Sequence, residues 1–175
     1  MTEAHGVLGS TPSIPIFKMT FNFEFRTIET GRDLTRLLEF IRKQNLNYPG
    51  YQDWVDRTET EIEMGWKTGV IALSGGYVVG DIIWQPHKEI RGIREIKNLR
   101  VHPSVRERYF ARFLMKQAEA ENRQDYDLLM LDLREDHPEK IPLMNMLISM
   151  GYEKLYAVNL YDPNVREIVM VKKAA

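Results

Sequence analysis

Three arginines, Arg106, Arg108 and Arg112, stand at the entry to a stretch with helical spacing, and a helix entry is a place where a chain can hold an anion. The N–H groups of a helix's first turn have no partner inside the helix and carry partial positive charge. A loop leading into such a helix can wrap a phosphate with them, and arginine adds charge-assisted hydrogen bonds. A second reading stays open, in which the arginines form a solvated helix face. A third concerns the donors themselves. Ser104-Val105-Arg106-Glu107 has the spacing of a capping box, with Ser104 capping the Glu107 N–H and Glu107 reaching back to Ser104. That would start the helix early and use up the donors a phosphate needs.

Other chemistries are poorly supplied. The chain has no cysteine, which removes disulfides, thiolate metal ligands and a cysteine nucleophile together. The four histidines, His5, His87, His102 and His137, fall at no metal-ligand spacing, so no metal is expected. Neither Gly75-Gly76 nor the serines and aspartates give a nucleophile elbow or triad. With 24 basic and 25 acidic residues the net charge is −1, which speaks against bulk attraction to nucleic acid or an anionic membrane. No apolar run approaches the roughly 20 residues needed to span a bilayer. Residues 1–18 also lack the continuous apolar core of a signal peptide. Rich in Gly, Ser, Thr and Pro, they read as a flexible extension. The 175 residues, 43% hydrophobic and 28% charged, suit one soluble domain over 19–175, expected in the cytoplasm and off the membrane.

The elements that must position the arginines follow from periodicity. Phe21, Phe23 and Phe25 alternate with polar neighbours as in a half-buried strand over 21–27. Leu34, Leu37, Leu38 and Ile41 recur at helical spacing, and Pro49-Gly50 breaks that helix. A second helix is expected over 52–66. Residues 70–73 and 77–84 form strands joined by the hairpin signal Gly75-Gly76. A polar turn over 86–92 leads to a strand over 94–101, and a helix over 106–122 follows. The apolar run 128–133, interrupted only by Asp132, suits a strand buried on both faces. A helix over 141–150 closes at Gly151, and strands over 154–161 and 166–171 flank Asp162-Pro163-Asn164. Trp54, Trp66 and Trp84 read as core or cleft wall, and Met144, Met146 and Met150 as core filling. The order β-α-α-β-β-β-α-β-α-β-β makes a mixed sheet with helices on both faces the natural architecture.

This order, with its central strand–turn–helix, resembles the GNAT superfamily of acyl-CoA-dependent N-acyltransferases over residues 21–173. The sharpest part is residues 95–114. There Val101, Pro103, Arg106, Ala111 and Leu114 fall in register with the family's Val-x-Pro turn, its Arg/Gln-x-x-Gly-x-Gly/Ala loop and the helix that follows. Leu131-Asp132-Leu133 and Met150-Gly151-Tyr152-Glu153 resemble the family's next strand and its Leu-Gly-Phe ending. The resemblance implies an α/β, GNAT-like mixed central sheet flanked by helices, acetyl-CoA as acyl donor, and transfer of acetyl to a primary amine of a small molecule or protein. A homodimer stays open.

The same resemblance implies a site. The backbone of Leu99, Arg100 and Val101 would bond the pantetheine arm like an added strand, with the Leu99 N–H polarising the acetyl carbonyl. Arg106, Arg108, Tyr109, Phe110, Ala111 and Arg112 would surround the phosphates, and Glu95 would be the general base. Glu95 also reads as a strand glutamate facing solvent or paired with Arg94 or Lys97. The acceptor would lie between the loop 45–51 and the last hairpin, against Tyr48, Tyr51, Trp54 and Tyr161. Two positions depart from the pattern. Tyr109 stands where the family has glycine, which lets the backbone approach phosphates without a Cβ; its ring either swings aside or fills the site. Leu147 stands where many members carry a tyrosine acid, and His137 lies near the place of a family asparagine. The alternative is therefore a non-catalytic module with an impaired CoA site.

Overall fold

A computed structural model of the protein describes residues 22–29, 31–43, 48–106, 109–121 and 126–174. The described residues form a seven-stranded sheet in the order β1-β2-β3-β4-β5-β7-β6. In chain order the elements are β1 (Phe23–Thr27), α1 (Arg32–Lys43), α2 (Tyr51–Glu63), β2 (Thr68–Ser74), β3 (Tyr77–Pro86), β4 (Ile93–Val101), α3 (Phe110–Ala120), β5 (Leu128–Arg134), α4 (Lys140–Ser149), β6 (Glu153–Asp162) and β7 (Val165–Lys173). All strand pairs are antiparallel except β4 with β5. The mixed sheet and the element order are those expected from the sequence.

Each face of the sheet has its own core. On one side Leu34, Leu37, Leu38 and Ile41 of α1, spaced for a single helix face, pack with Val55 and Ile62 of α2 over Ile71, Leu73 and Ile83. On the other side Leu114, Met115 and Ala118 of α3 and Leu147 of α4 cover Val70, Ile82, Trp84, Leu129 and Met170. The β2–β3 hairpin turns at Gly75 and Gly76, with φ of 57° and 83°, where a side chain would be strained. Trp66, expected in the core or on a cleft wall, is 63% exposed past the end of α2 and does not line the cavity described below.

The helix expected to begin at residue 106 begins at Phe110. A short 3-10 turn over Pro103–Val105 comes first, and His102 caps it, its Nδ1 accepting from the Ser104 backbone N–H at 3.2 Å. The Ser104 hydroxyl also lies 2.7 Å from that nitrogen. Ser104 therefore serves this turn and does not start α3, so the capping-box reading fails on the serine side. Its partner Glu107 lies outside the described residues, as does Arg108.

Candidate active site

The parallel ladder between β4 and β5 is short. It runs from Ile93–Leu128 to Ile96–Leu131 and stops there. The cause is visible on the other edge of β4. Asn98 pairs with Ile83 and Ile96 with Trp84, so Lys97 is an extra residue that bulges the strand and bends it away from β5. Past the bulge the backbone direction can be counted. The His102 N–H donates to the Val79 carbonyl of β3 at 2.8 Å. N–H groups alternate along a strand, so Arg100 also faces β3, whereas Leu99 and Val101 face the gap. The Val101 carbonyl accordingly accepts from Arg106 Nε at 3.3 Å. The Arg100 side chain lies on the α1 side, donating to Asn98 Oδ1 (2.9 Å) and to the Ile41 carbonyl (3.1 Å).

At the end of β4 the chain turns into α3. Tyr109 is its N-cap, with φ of 61° and ψ of 12°, and no side chain caps the first turn. Among the described residues it is the one non-glycine with positive φ. The backbone thus takes the shape glycine would give, and the ring is 80% exposed. The N–H groups of Phe110, Ala111 and Arg112 open the helix, while the Phe110 ring points into the core, 4.5 Å from the ring of Phe23. Arg106 pairs with Glu139 at 3.2 Å, and Arg112 donates to the Ser149 hydroxyl. Arg106 thus reaches the residue that precedes α4, and Arg112 the last residue of α4.

A cavity of about 310 Å³ opens at the gap. Leu99, Lys97 and Asp132 line it together with Asp53, Arg57 and Arg100, and Tyr48, Tyr51, Trp54 and Tyr161 supply aromatic walls. Tyr48 and Tyr161 meet edge to face, 5.8 Å apart. The polar cluster is contiguous. Tyr161 donates to Asp132 Oδ1 at 3.3 Å, and Lys97 Nζ donates to the Tyr161 oxygen at 3.4 Å and to Glu95 Oε1 at 2.9 Å. Glu95 Oε2 accepts from Gln85 at 3.1 Å. Glu95 is therefore held by Lys97 behind the cavity, and Asp132 stands on its wall. Burial, and after it the repulsion of Glu95, raises Asp132 above the ordinary carboxylate range, against the pull of Lys97. Burial and Asp132 push Tyr161 up to about 12. Burial lowers Lys97, but Tyr161, Glu95 and Asp132 overcome it and hold the ammonium above its usual range.

His137 also lines the cavity, and its Nδ1 accepts the Glu139 N–H at 3.0 Å. Burial lowers it further from the cationic form. Leu147 is fully buried in the core, so α4 offers no hydroxyl at that place. Asp132 and Lys97 were not singled out from the sequence, although Asp132 was the one charge in an apolar strand. Nothing in the sequence showed that the strand would part from its neighbour at that residue.

No protein-family model matches the chain, and no curated protein matches it in sequence. Solved structures do match. A putative acetyltransferase of the GNAT family from Desulfovibrio desulfuricans aligns with a TM-score of 0.72 at 15% identity, covering 88% of this chain and 100% of that one. The ribosomal-protein-S18-alanine N-acetyltransferase from Escherichia coli gives 0.69 at 16% identity, over 88% and 95%. A putative acetyltransferase from Salmonella typhimurium, solved with its cofactor acetyl-CoA, gives 0.69 at 12%, over 88% and 95%. At these identities the likeness is one of fold, and the chain has the fold of the GNAT acetyltransferases.

Proposed function

We propose that this protein is an N-acetyltransferase that moves an acetyl group from acetyl-CoA to the primary amine of an acceptor. The observation that carries the reading is the parting of β4 from β5 at the Lys97 bulge, which turns Leu99 and Val101 toward a cavity walled by aromatic residues. The residues present fit acetyl-CoA. Leu99 and Val101 offer strand backbone to an extended amide-bearing arm, and Arg100 holds the strand to α1 from behind. The first turn of α3, from Tyr109 through Phe110, Ala111 and Arg112, offers unpaired N–H groups to phosphates. Arg106 adds charge there. The bound thioester supplies an activated acetyl group.

This chain's own residues handle the rest. An amine arrives as an ammonium and attacks only after losing a proton. Asp132 takes that proton at the cavity wall, and Glu95, joined to it through Lys97 and Tyr161, adds to the basicity of the cluster. The Leu99 N–H donates to the carbonyl oxygen as negative charge develops on it, and cleavage of the C–S bond then releases CoA as a thiolate that takes its proton from solvent. The aromatic walls exclude water and favour an amine over hydrolysis. The salmonella structure with its cofactor and the spermidine N-acetyltransferase from Vibrio cholerae solved with CoA and spermine (TM-score 0.65, 13% identity) support the choice of donor. The test is release of free thiol from acetyl-CoA in the presence of a panel of primary amines. The reading expects amine-dependent release that Asp132→Asn lowers by about 100-fold or more. Binding of acetyl-CoA with no release for any amine would instead mark a non-catalytic module.

A further inference from the structure

A strand bulge leaves its extra residue out of the ladder, and the residues after Lys97 show what holds this one in place. Side chains alternate along a regular strand, so Ile96 and Asn98 would share a face. Here Ile96 lies in the core under α3, whereas Asn98 is paired with Ile83, which packs with α1 and α2. Arg100 is paired with Asp81 of β3. Cross-strand partners share a face, so the bulge switches Asn98 and Arg100 to the α1 side. Without it the parity past residue 97 would reverse. Asn98 and Arg100 would enter the core of Ile82, Trp84 and Leu114, and the N–H groups of Leu99 and Val101 would turn to β3 and leave the gap.

Asp81, Arg100 and Asn98 are 0%, 6% and 8% exposed, and buried polar groups need partners. The bulged register supplies them. Asn98 Nδ2 donates to Asp81 Oδ2, Asn98 Oδ1 accepts from Arg100 Nε at 2.9 Å, and Arg100 Nη1 donates to the Ile41 carbonyl of α1 at 3.1 Å. An ionised carboxylate only accepts, so Asp81 fixes the Asn98 amide with its NH2 toward β3 and its oxygen toward Arg100. The Ile41 carbonyl also accepts from the Tyr51 hydroxyl at 2.7 Å, and the Arg100 guanidinium covers the Tyr51 ring at 4.9 Å. The chain of bonds thus ends on the cavity wall. We propose that the buried set Asp81, Asn98 and Arg100 selects the bulged register of β4, with Asp81 as its anchor and a positioning residue for the Leu99 and Val101 amides. The inference rests on the acyl-transfer reading only for what the gap serves, and the register can be measured without ligand.

Amide hydrogen exchange of the full chain without ligand reads the register. In the unmodified protein the Arg100 amide, turned to β3, should exchange roughly a hundredfold or more slower than those of Leu99 and Val101. Asp81→Asn keeps an acceptor for Asn98 and should keep this pattern. Asp81→Leu, Asn98→Leu and Arg100→Leu combined replace all the partners with apolar side chains, which leaves none of them orphaned. That variant should bring the difference between position 100 and its neighbours below about threefold, or reverse it. General destabilisation would instead speed all three amides together. A triple variant that keeps the pattern, or an Asp81→Asn protein that loses it, would overturn the proposal. So would its absence from the unmodified protein, a result that stands even if the triple variant fails to fold. Acetyl-CoA titrated into the unmodified protein separates the two claims. Binding, with the pattern unmoved in the triple variant, defeats this inference alone; no binding, with the pattern responding as expected, defeats the acyl-transfer reading.

Discussion

Replacing Tyr109 with glycine should stabilise the protein, although a large aromatic side chain is lost. The residue sits at φ 61°, a conformation that costs an L-residue roughly 1–2 kcal/mol. Glycine removes that cost but gives up roughly 0.5–1 kcal/mol of unfolded-state entropy. The ring is 80% exposed, so little packing goes with it. The balance is a gain of about 0.5–1 kcal/mol, a rise of a few degrees in Tm for a chain of this length. Tyr109→Ala keeps the Cβ and the strain, and should gain nothing. Urea unfolding of the three proteins side by side reads the difference. Because the loop already holds the glycine-like shape, acetyl-CoA affinity should change less than about threefold in Tyr109→Gly. Destabilisation by the glycine beyond that of the alanine would show that the residue is not left-handed in solution. A gain in affinity above about tenfold would show that the ring obstructs the phosphates.

Asp81 is fully buried, accepts a hydrogen bond from Asn98, and is pushed up to about 7 by burial, against the pull of Arg100 and Asn98. A raised carboxylate costs nothing below its unfolded value and its full cost above its folded one. Asp81→Asn should therefore match the unmodified protein near pH 4 and exceed it by about 3–4 kcal/mol at pH 8 in urea unfolding; a constant difference across that range would refute the assignment. Arg106 and Glu139 form an exposed pair with about half of each side chain open to solvent, worth about 0–1 kcal/mol. Arg106→Glu should leave stability within that range while weakening acetyl-CoA binding about tenfold or more in calorimetry; unchanged binding would remove Arg106 from the phosphate site.

Much of the fold was legible because its signals are local. The alternating phenylalanines of β1, the Leu34-Leu37-Leu38-Ile41 stripe and the Gly75-Gly76 turn each specify an element within a few residues, and Gly151 ends α4 with φ 88°. The entry to α3 was not legible. Two local signals competed there, the serine–glutamate spacing and the strand–turn resemblance. The outcome was set by His102, which takes both the Ser104 N–H and its hydroxyl. The aromatic cluster of Tyr48, Tyr51, Trp54 and Tyr161 was readable as a group, but its carboxylates were not. Glu95 was singled out on β4, yet Lys97 and Gln85 hold it behind the wall, and the bulge that brings Asp132 to the cavity arises from the pairing of β3 with β4.

The central claim is that acetyl-CoA pairs with β4 in the gap beside β5, and backbone amide exchange measured during an acetyl-CoA titration tests it most directly. The alternation of the strand predicts saturable binding in which the amides of Leu99 and Val101 become protected, while that of Arg100, already turned to β3, stays as it was. No binding at millimolar acetyl-CoA, or binding that leaves Leu99 and Val101 unprotected, would contradict it.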